Sequence, residues 1–64
     1  MENEVITLLK NMEQQFVEAA TNAEKFADGN NSAGTRVRKA MQNIKNLAQT
    51  VRVEIQEQKN SVLA

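Results

Sequence analysis

Residues 29–39 read Gly29-Asn30-Asn31-Ser32-Ala33-Gly34-Thr35-Arg36-Val37-Arg38-Lys39, and this stretch joins two long heptad-patterned segments. It opens with a turn signal, because a glycine after Asp28 is favoured in the left-handed conformation that ends many helices. Asn30, Asn31 and Ser32 are residue types that cap the start of a helix. A connection this short predicts that the two segments fold back on each other as antiparallel helices.

Apolar residues recur at alternating steps of four and three on both sides of the turn, which is the spacing of a helical seam. In the first segment they are Val5, Leu9, Met12, Phe16, Ala19, Ala23 and Phe26, and in the second Val37, Met41, Ile44, Ala48, Val51 and Ile55. The chain has no proline, and its glycines are confined to positions 29 and 34. Nothing in either segment therefore interrupts a helix.

The predicted fold is all-α: an antiparallel two-helix hairpin of coiled-coil type that takes up residues 1–64 as a single unit. Helix one is expected to cover about residues 2–28, the turn residues 29–32 and helix two about residues 33–60. Facing seams pair large residues with small or medium ones, as in Phe16 with Ala48.

A chain of 64 residues buries little surface alone. Further apolar residues lie beside the seam and widen the apolar face: Met1, Ile6, Leu8, Ala20, Ala27, Ala33, Ala40 and Leu47. We expect a homodimer, with two hairpins forming a four-helix bundle, and a longer coiled-coil pairing as the second choice. The sequence does not distinguish parallel from antiparallel docking.

The composition excludes several kinds of chemistry. The chain has no cysteine and no histidine, which removes disulfides, thiolate catalysis, histidine acid-base catalysis and the usual zinc ligands. Its carboxylates, most of which are scattered along helix one, lack the spacing of a metal site or a catalytic pocket. We therefore expect no enzyme, catalytic residue, cofactor, metal or small-molecule substrate. No apolar run is long enough to span a membrane, so we expect a cytoplasmic protein without membrane contact.

The charges are unevenly distributed, although eight basic and eight acidic residues cancel overall. Between Gly29 and Val53 every charged residue is basic: Arg36, Arg38, Lys39, Lys45 and Arg52. Such asymmetry indicates an anionic partner or self-assembly between oppositely charged surfaces. The charge pattern does not separate these two interpretations.

The basic end of the predicted hairpin has the chemistry of a phosphate site. The start of a helix favours anions because its backbone N–H groups lack intrahelical partners. Gly34 leaves the backbone open to approach, Thr35 can donate a hydroxyl hydrogen bond, and Arg36, Arg38 and Lys39 supply charge. A solvated surface turn can have the same composition without any function.

Lys45 belongs to a basic row with Arg38, Arg52 and Lys59, spaced by sevens along helix two. The row can extend a phosphate contact, or it can form ion pairs at the flank of the seam. Both phenylalanines, Phe16 and Phe26, are predicted in the seam, which leaves no aromatic residue for base stacking. Binding is therefore expected to be sequence-tolerant and to involve the duplex backbone.

The run from Gly29 to Lys39 resembles the signature of small bacterial linker-histone-like proteins related to the chlamydial histone-like family. The similarity extends to the layout of an acidic amphipathic helix, a Gly-Asn turn, an Ala-Gly-Thr-Arg-x-Arg-Lys element and a second amphipathic helix. The chain resembles a short form of that family, without its basic tail. The resemblance implies a DNA-compacting, nucleoid-associated role, with Arg36, Arg38 and Lys39 on phosphates and Gly34 and Thr35 shaping the helix start.

Two functions of different classes remain open. The first is a histone-like architectural protein that binds duplex DNA in the nucleoid through the hairpin tip. The second is a non-enzymatic assembly or adaptor protein, for example of a phage particle, that uses the acidic helix and the basic tip for protein contacts.

Overall fold

The structure is a computed structural model that describes residues 3–63, with side chains described for residues 3–61. Over this range it contains two helices, α1 (Glu4–Ala27) and α2 (Asn31–Leu63). The helices pack side by side in opposite directions, and the resulting rod measures 54 × 20 × 10 Å. The predicted all-α two-helix hairpin is confirmed. Within residues 3–63, neither helix combines the length and the apolarity that crossing a bilayer requires.

The turn has the hydrogen bonding of a Schellman motif. Gly29 has a φ of 103°, and its N–H donates to the carbonyl of Phe26, while the N–H of Asn30 donates to the carbonyl of Lys25, each at 3.0 Å. The Asn30 side chain then caps α2, because its Oδ1 accepts from the N–H of Ala33 at 3.1 Å. Helix α2 accordingly begins at Asn31 rather than at about residue 33.

The open end of the hairpin is held by a pair of amides. Asn3 caps α1, since its Oδ1 accepts from the N–H of Val5 at 2.8 Å. The same side chain exchanges two hydrogen bonds with Gln58 of α2, from Asn3 Nδ2 to Gln58 Oε1 at 2.8 Å and from Gln58 Nε2 to Asn3 Oδ1 at 2.9 Å. These paired bonds link the two ends of the chain and fix the register of the helices.

The seam between the helices differs from the prediction. On α1 the less exposed positions are Val5, Leu8, Met12, Gln15, Ala19 and Asn22, and on α2 they include Ala33, Val37, Ala40, Ile44, Leu47, Val51, Glu54 and Gln58. Among the described residues, the buried core consists of Ala19, Ala33 and Ile44. The predicted seam was therefore right at Val5, Met12 and Ala19 of α1 and at Val37, Ile44, Ala48 and Val51 of α2, and it was wrong at the other predicted positions.

The error is a rotation of each helix about its axis. Leu9, Phe16 and Phe26 of α1 and Met41 and Ile55 of α2 were predicted in the seam, and all five are exposed. The physical reason is that each helix carries more apolar residues than one seam holds. Two neighbouring rows of residues on each helix therefore fit the alternating steps of three and four equally well. On α2 the structure turns Ala33 and Ala40 inward and leaves Met41 and Ile55 exposed.

Candidate nucleic-acid interface

Except for Lys45, the predicted site residues lie near the closed end of the rod, in the first turns of α2. Thr35, Arg36, Arg38 and Lys39 are exposed there. These positions follow directly from the capped start of the helix, because Asn30 fixes where α2 begins. The positive end of the α2 macrodipole adds to the side-chain charge at the same place.

The cations of the tip fall on two sides of the hairpin. Arg36 and Lys39 line an open groove of about 190 Å³ together with Gln15, Glu18, Asn22, Ala40 and Asn43. Arg38 lines a different groove of about 360 Å³, with Ala23, Phe26, Asn31, Gly34, Thr35 and Val37. The structure thus places cations on both sides of the end of α2.

Arg36 is positioned by the first helix. Its Nε donates to Oδ1 of Asn22 at 2.8 Å, and this bond uses one of the five N–H donors of the guanidinium. Sequence reasoning missed Asn22, although it lies in the row Leu8, Gln15 and Asn22, which has the seven-residue spacing of a seam. Because the acceptor is a neutral amide, the bond orients Arg36 without neutralising it.

The tip cations form no ion pair within residues 3–61. In the part of the chain that the structure describes, no carboxylate forms an ion pair with Arg36, Arg38, Lys39 or Lys45. Glu18 shares the groove with Arg36 and Lys39 and is the acidic group on that side.

Gly34 occupies a position that the prediction did not anticipate. It is half-buried beneath the side chain of Phe26, and a Cβ placed on Gly34 would lie 2.6 Å from Phe26 Cδ1 and 2.8 Å from Cε1. The absence of a side chain therefore lets the Phe26 ring rest on α2. A phosphate that reached this part of the backbone would approach beside the ring.

Lys45 stands apart from the tip. It follows Arg38 by seven residues, about 10 Å along the axis at the standard rise, and it is exposed on the same edge of α2. The expectation that both phenylalanines are enclosed in the seam is wrong, since Phe16 is 51% and Phe26 is 53% exposed. Phe26 thus presents an aromatic surface beside Arg38 at the tip.

A two-helix rod with a capped, cationic end and open surface grooves belongs to the class of small, all-helical hairpin proteins. Residues 6–61 match the family described as Histone H1-like protein Hc1. Because this match covers most of the chain, the protein belongs to that family. No curated protein and no solved structure matches the chain.

Proposed function

We propose that this protein is a histone-like architectural protein of the bacterial nucleoid, which contacts duplex DNA phosphates through the basic tip of its hairpin. The observation that carries the proposal is the group of exposed cations, Arg36, Arg38 and Lys39, without ion pairs among the described residues of a histone H1-like chain. Lys45 extends the charged surface along α2.

The chemistry of the tip suits a phosphate backbone better than base edges. Guanidinium and ammonium groups neutralise phosphates whatever the sequence, whereas sequence readout needs side chains fitted to a groove. Three cations per tip neutralise only a few phosphates, so one tip alone binds weakly. Useful affinity then requires more than one tip on the same DNA.

A homodimer supplies the additional tip. The exposed Leu9, Phe16, Phe26, Met41 and Ile55 give the hairpin more apolar surface than its own seam covers. Among the described residues of a single hairpin, the buried core consists of three residues. So little buried surface offsets only a small part of the conformational entropy that the chain loses on folding. Two hairpins packed through these residues form a four-helix bundle and remove the apolar surface from water.

The direct test is the triple variant Arg36→Ala, Arg38→Ala and Lys39→Ala. We expect its affinity for a duplex of about 20 base pairs at low salt to fall at least tenfold, because most phosphate contacts are lost. Fluorescence anisotropy of labelled duplex measures the change, and circular dichroism checks that both helices persist.

The control is Lys10→Ala with Lys59→Ala, which removes two exposed cations near the open end of the rod and keeps Lys45 and Arg52. Its affinity should change less than threefold, since these residues lie far from the tip. Equal losses in the two variants would show that DNA responds only to net charge, and unchanged binding by the triple variant would remove the tip as the DNA site.

The exposed apolar residues also favour a second candidate, an assembly or adaptor protein that binds other proteins. The same titrations separate the two functions when oligomer mass is measured beside them. Binding to duplex DNA that weakens with salt supports the architectural role. Ordered higher oligomers without DNA binding in dilute buffer would support assembly instead.

A further inference from the structure

One side of the rod carries a continuous apolar face, formed by one row from each helix. The α1 row is Leu9, Phe16 and Ala23, and the α2 row is Gly34, Met41, Ala48 and Ile55, each spaced by sevens. Residues seven apart lie on one line along a helix. Most of the large members are exposed, so this apolar face has no cover within the described chain.

The two rows lie on the same side of the hairpin. Ala23 from the α1 row and Gly34 from the α2 row line one groove, where the Phe26 ring bridges the helices by resting on Gly34. The opposite side is polar, because its groove is lined by Asn11, Gln15, Asn43, Asn46, Leu47 and Thr50. The rod therefore has one apolar face and one amide-rich face.

The apolar face is bordered by two unlike rims. The rim on α2 is the basic row Arg38, Lys45, Arg52 and Lys59, and Arg38 reaches the same groove as Ala23. The corresponding rim on α1 is Ile6, Glu13, Ala20 and Ala27, which contains no cation. All eight residues are exposed, and within residues 3–61 no ion pair joins the rims. Within residues 3–61, Glu13 thus forms no ion pair with Arg52 of the same subunit.

Two hairpins can cover each other's apolar faces in two ways. With the twofold axis along the rod, α2 of each copy lies over α1 of the other, and both tips point the same way. With the axis across the rod, α2 lies over α2, and the tips point to opposite ends. The second arrangement sets four cations of one rim against four of the other, which is unfavourable when like charges face each other.

We propose that a second copy covers the apolar face with the twofold axis along the rod, so that both tips lie at one end. This inference rests on the proposed dimer and specifies its geometry. Each basic rim then faces the partner's cation-free α1 rim, and Arg52 or Lys45 meets Glu13 of the partner subunit. Charge complementarity of this kind selects an orientation more than it adds affinity.

The orientation of the two copies determines whether the dimer can contact one duplex or two. Tips at the two ends of a dimer would bridge two duplexes, but tips at one end present Arg36, Arg38 and Lys39 twice to a single duplex. The number of phosphates neutralised at one site doubles from about three to about six. The paired end is thus a DNA site that neither copy contains alone.

Distances between spin labels test the geometry, because the chain has no cysteine of its own. A nitroxide on Ser32→Cys reports the tips, and one on Gln49→Cys reports the middle of the rod; both positions are exposed. In the proposed dimer the Ser32 labels lie about 20–24 Å apart, which is the width of a bundle two helices wide. With tips at opposite ends they lie about 38 Å apart or more, because Ser32 is about 12 to 13 residues from the middle of the apolar face and the rise is 1.5 Å per residue.

The Gln49 labels lie within about 35 Å in both arrangements and therefore report whether a dimer forms at all. Short distances at both positions support the proposal. A long Ser32 distance with a short Gln49 distance overturns the orientation, and the absence of a dipolar signal at both positions overturns the dimer. Duplex binding by the unlabelled wild type, measured in parallel, shows separately whether the DNA proposal fails.

Discussion

Phe16→Glu is expected to convert the protein from a dimer into a monomer at micromolar concentration. Phe16 lies at the middle of the apolar face and is 51% exposed in the single hairpin. The substitution removes apolar burial worth about 1.5–3 kcal/mol for each phenylalanine, and each dimer contains two copies. It also places two carboxylates where they would be buried without partners. We expect the dissociation constant to rise more than about 100-fold, which corresponds to about 3 kcal/mol.

Sedimentation equilibrium measures this change, and Val17→Glu is the matched control. Val17 is the next residue along α1, is 63% exposed and lies outside the rows that form the apolar face. Val17→Glu adds the same charge outside the apolar face, so its dimer dissociation constant should remain close to that of the wild type. If Phe16→Glu dimerises as well as Val17→Glu, the apolar face is not the interface. Salt-sensitive DNA binding that also weakens in Phe16→Glu would link pairing to function.

The second large effect is expected at Gly34. Gly34→Ala should destabilise the hairpin by about 1 kcal/mol, the low end of the cost of overpacking, because the new Cβ would lie 2.6 Å from Phe26 Cδ1 and the half-exposed ring would have to move off α2. In a helix without such a contact, the same change is favourable by up to about 1 kcal/mol. A shift of several degrees in the melting temperature follows for a domain of this size.

A double-mutant cycle with Phe26→Ala isolates the contact. In the Phe26→Ala background the ring is absent, so Gly34→Ala should become neutral or stabilising. Thermal unfolding by circular dichroism measures all four proteins at one concentration, since dimerisation makes stability depend on concentration. A Gly34→Ala penalty of the same size in both backgrounds would mean that the Phe26 ring is not the cause.

The hairpin itself could be predicted because its signals are local. Gly29 supplies the positive φ, Asn30 caps α2, and both segments keep a seven-residue repeat without proline. Each of these features acts within a few residues of its own position, and a single sequence contains all the information needed. The resemblance carried by residues 29–39 likewise led to the family that the match over residues 6–61 shows.

The rotation of the helices could not be predicted, because it depends on a comparison between overlapping rows. Leu8 and Leu9 fit helical seams equally well, as do Ala40 and Met41. Spacing alone does not reveal that α2 turns its alanines inward. The polar residues Gln15 and Asn22 also argued against the row that the structure uses. A prediction that admits only apolar residues to the seam excludes this row, although the amides of Gln15 and Asn22 lie at the solvated edge of the seam.

The details of the candidate site follow from that rotation. A small rotation of α2 about its own axis decides whether Arg36 or Arg38 lies beside the apolar face. The sequence alone could therefore place both residues at the tip but could not assign them to its two sides. The bond from Arg36 to Asn22 and the contact of Phe26 with Gly34 cross between helices. Neither has a local signal. Contacts of this kind emerge only once the register is known.

The measurement that most directly tests the central claim is the salt dependence of duplex binding. A plot of log K against log salt concentration should have a slope of about −3 if one tip contacts DNA, and about −5 if two tips share one duplex, from about 0.9 per phosphate. In the triple variant Arg36→Ala, Arg38→Ala and Lys39→Ala, the slope should fall towards zero. A triple variant with the wild-type slope, or a wild type whose binding does not respond to salt, would contradict the account.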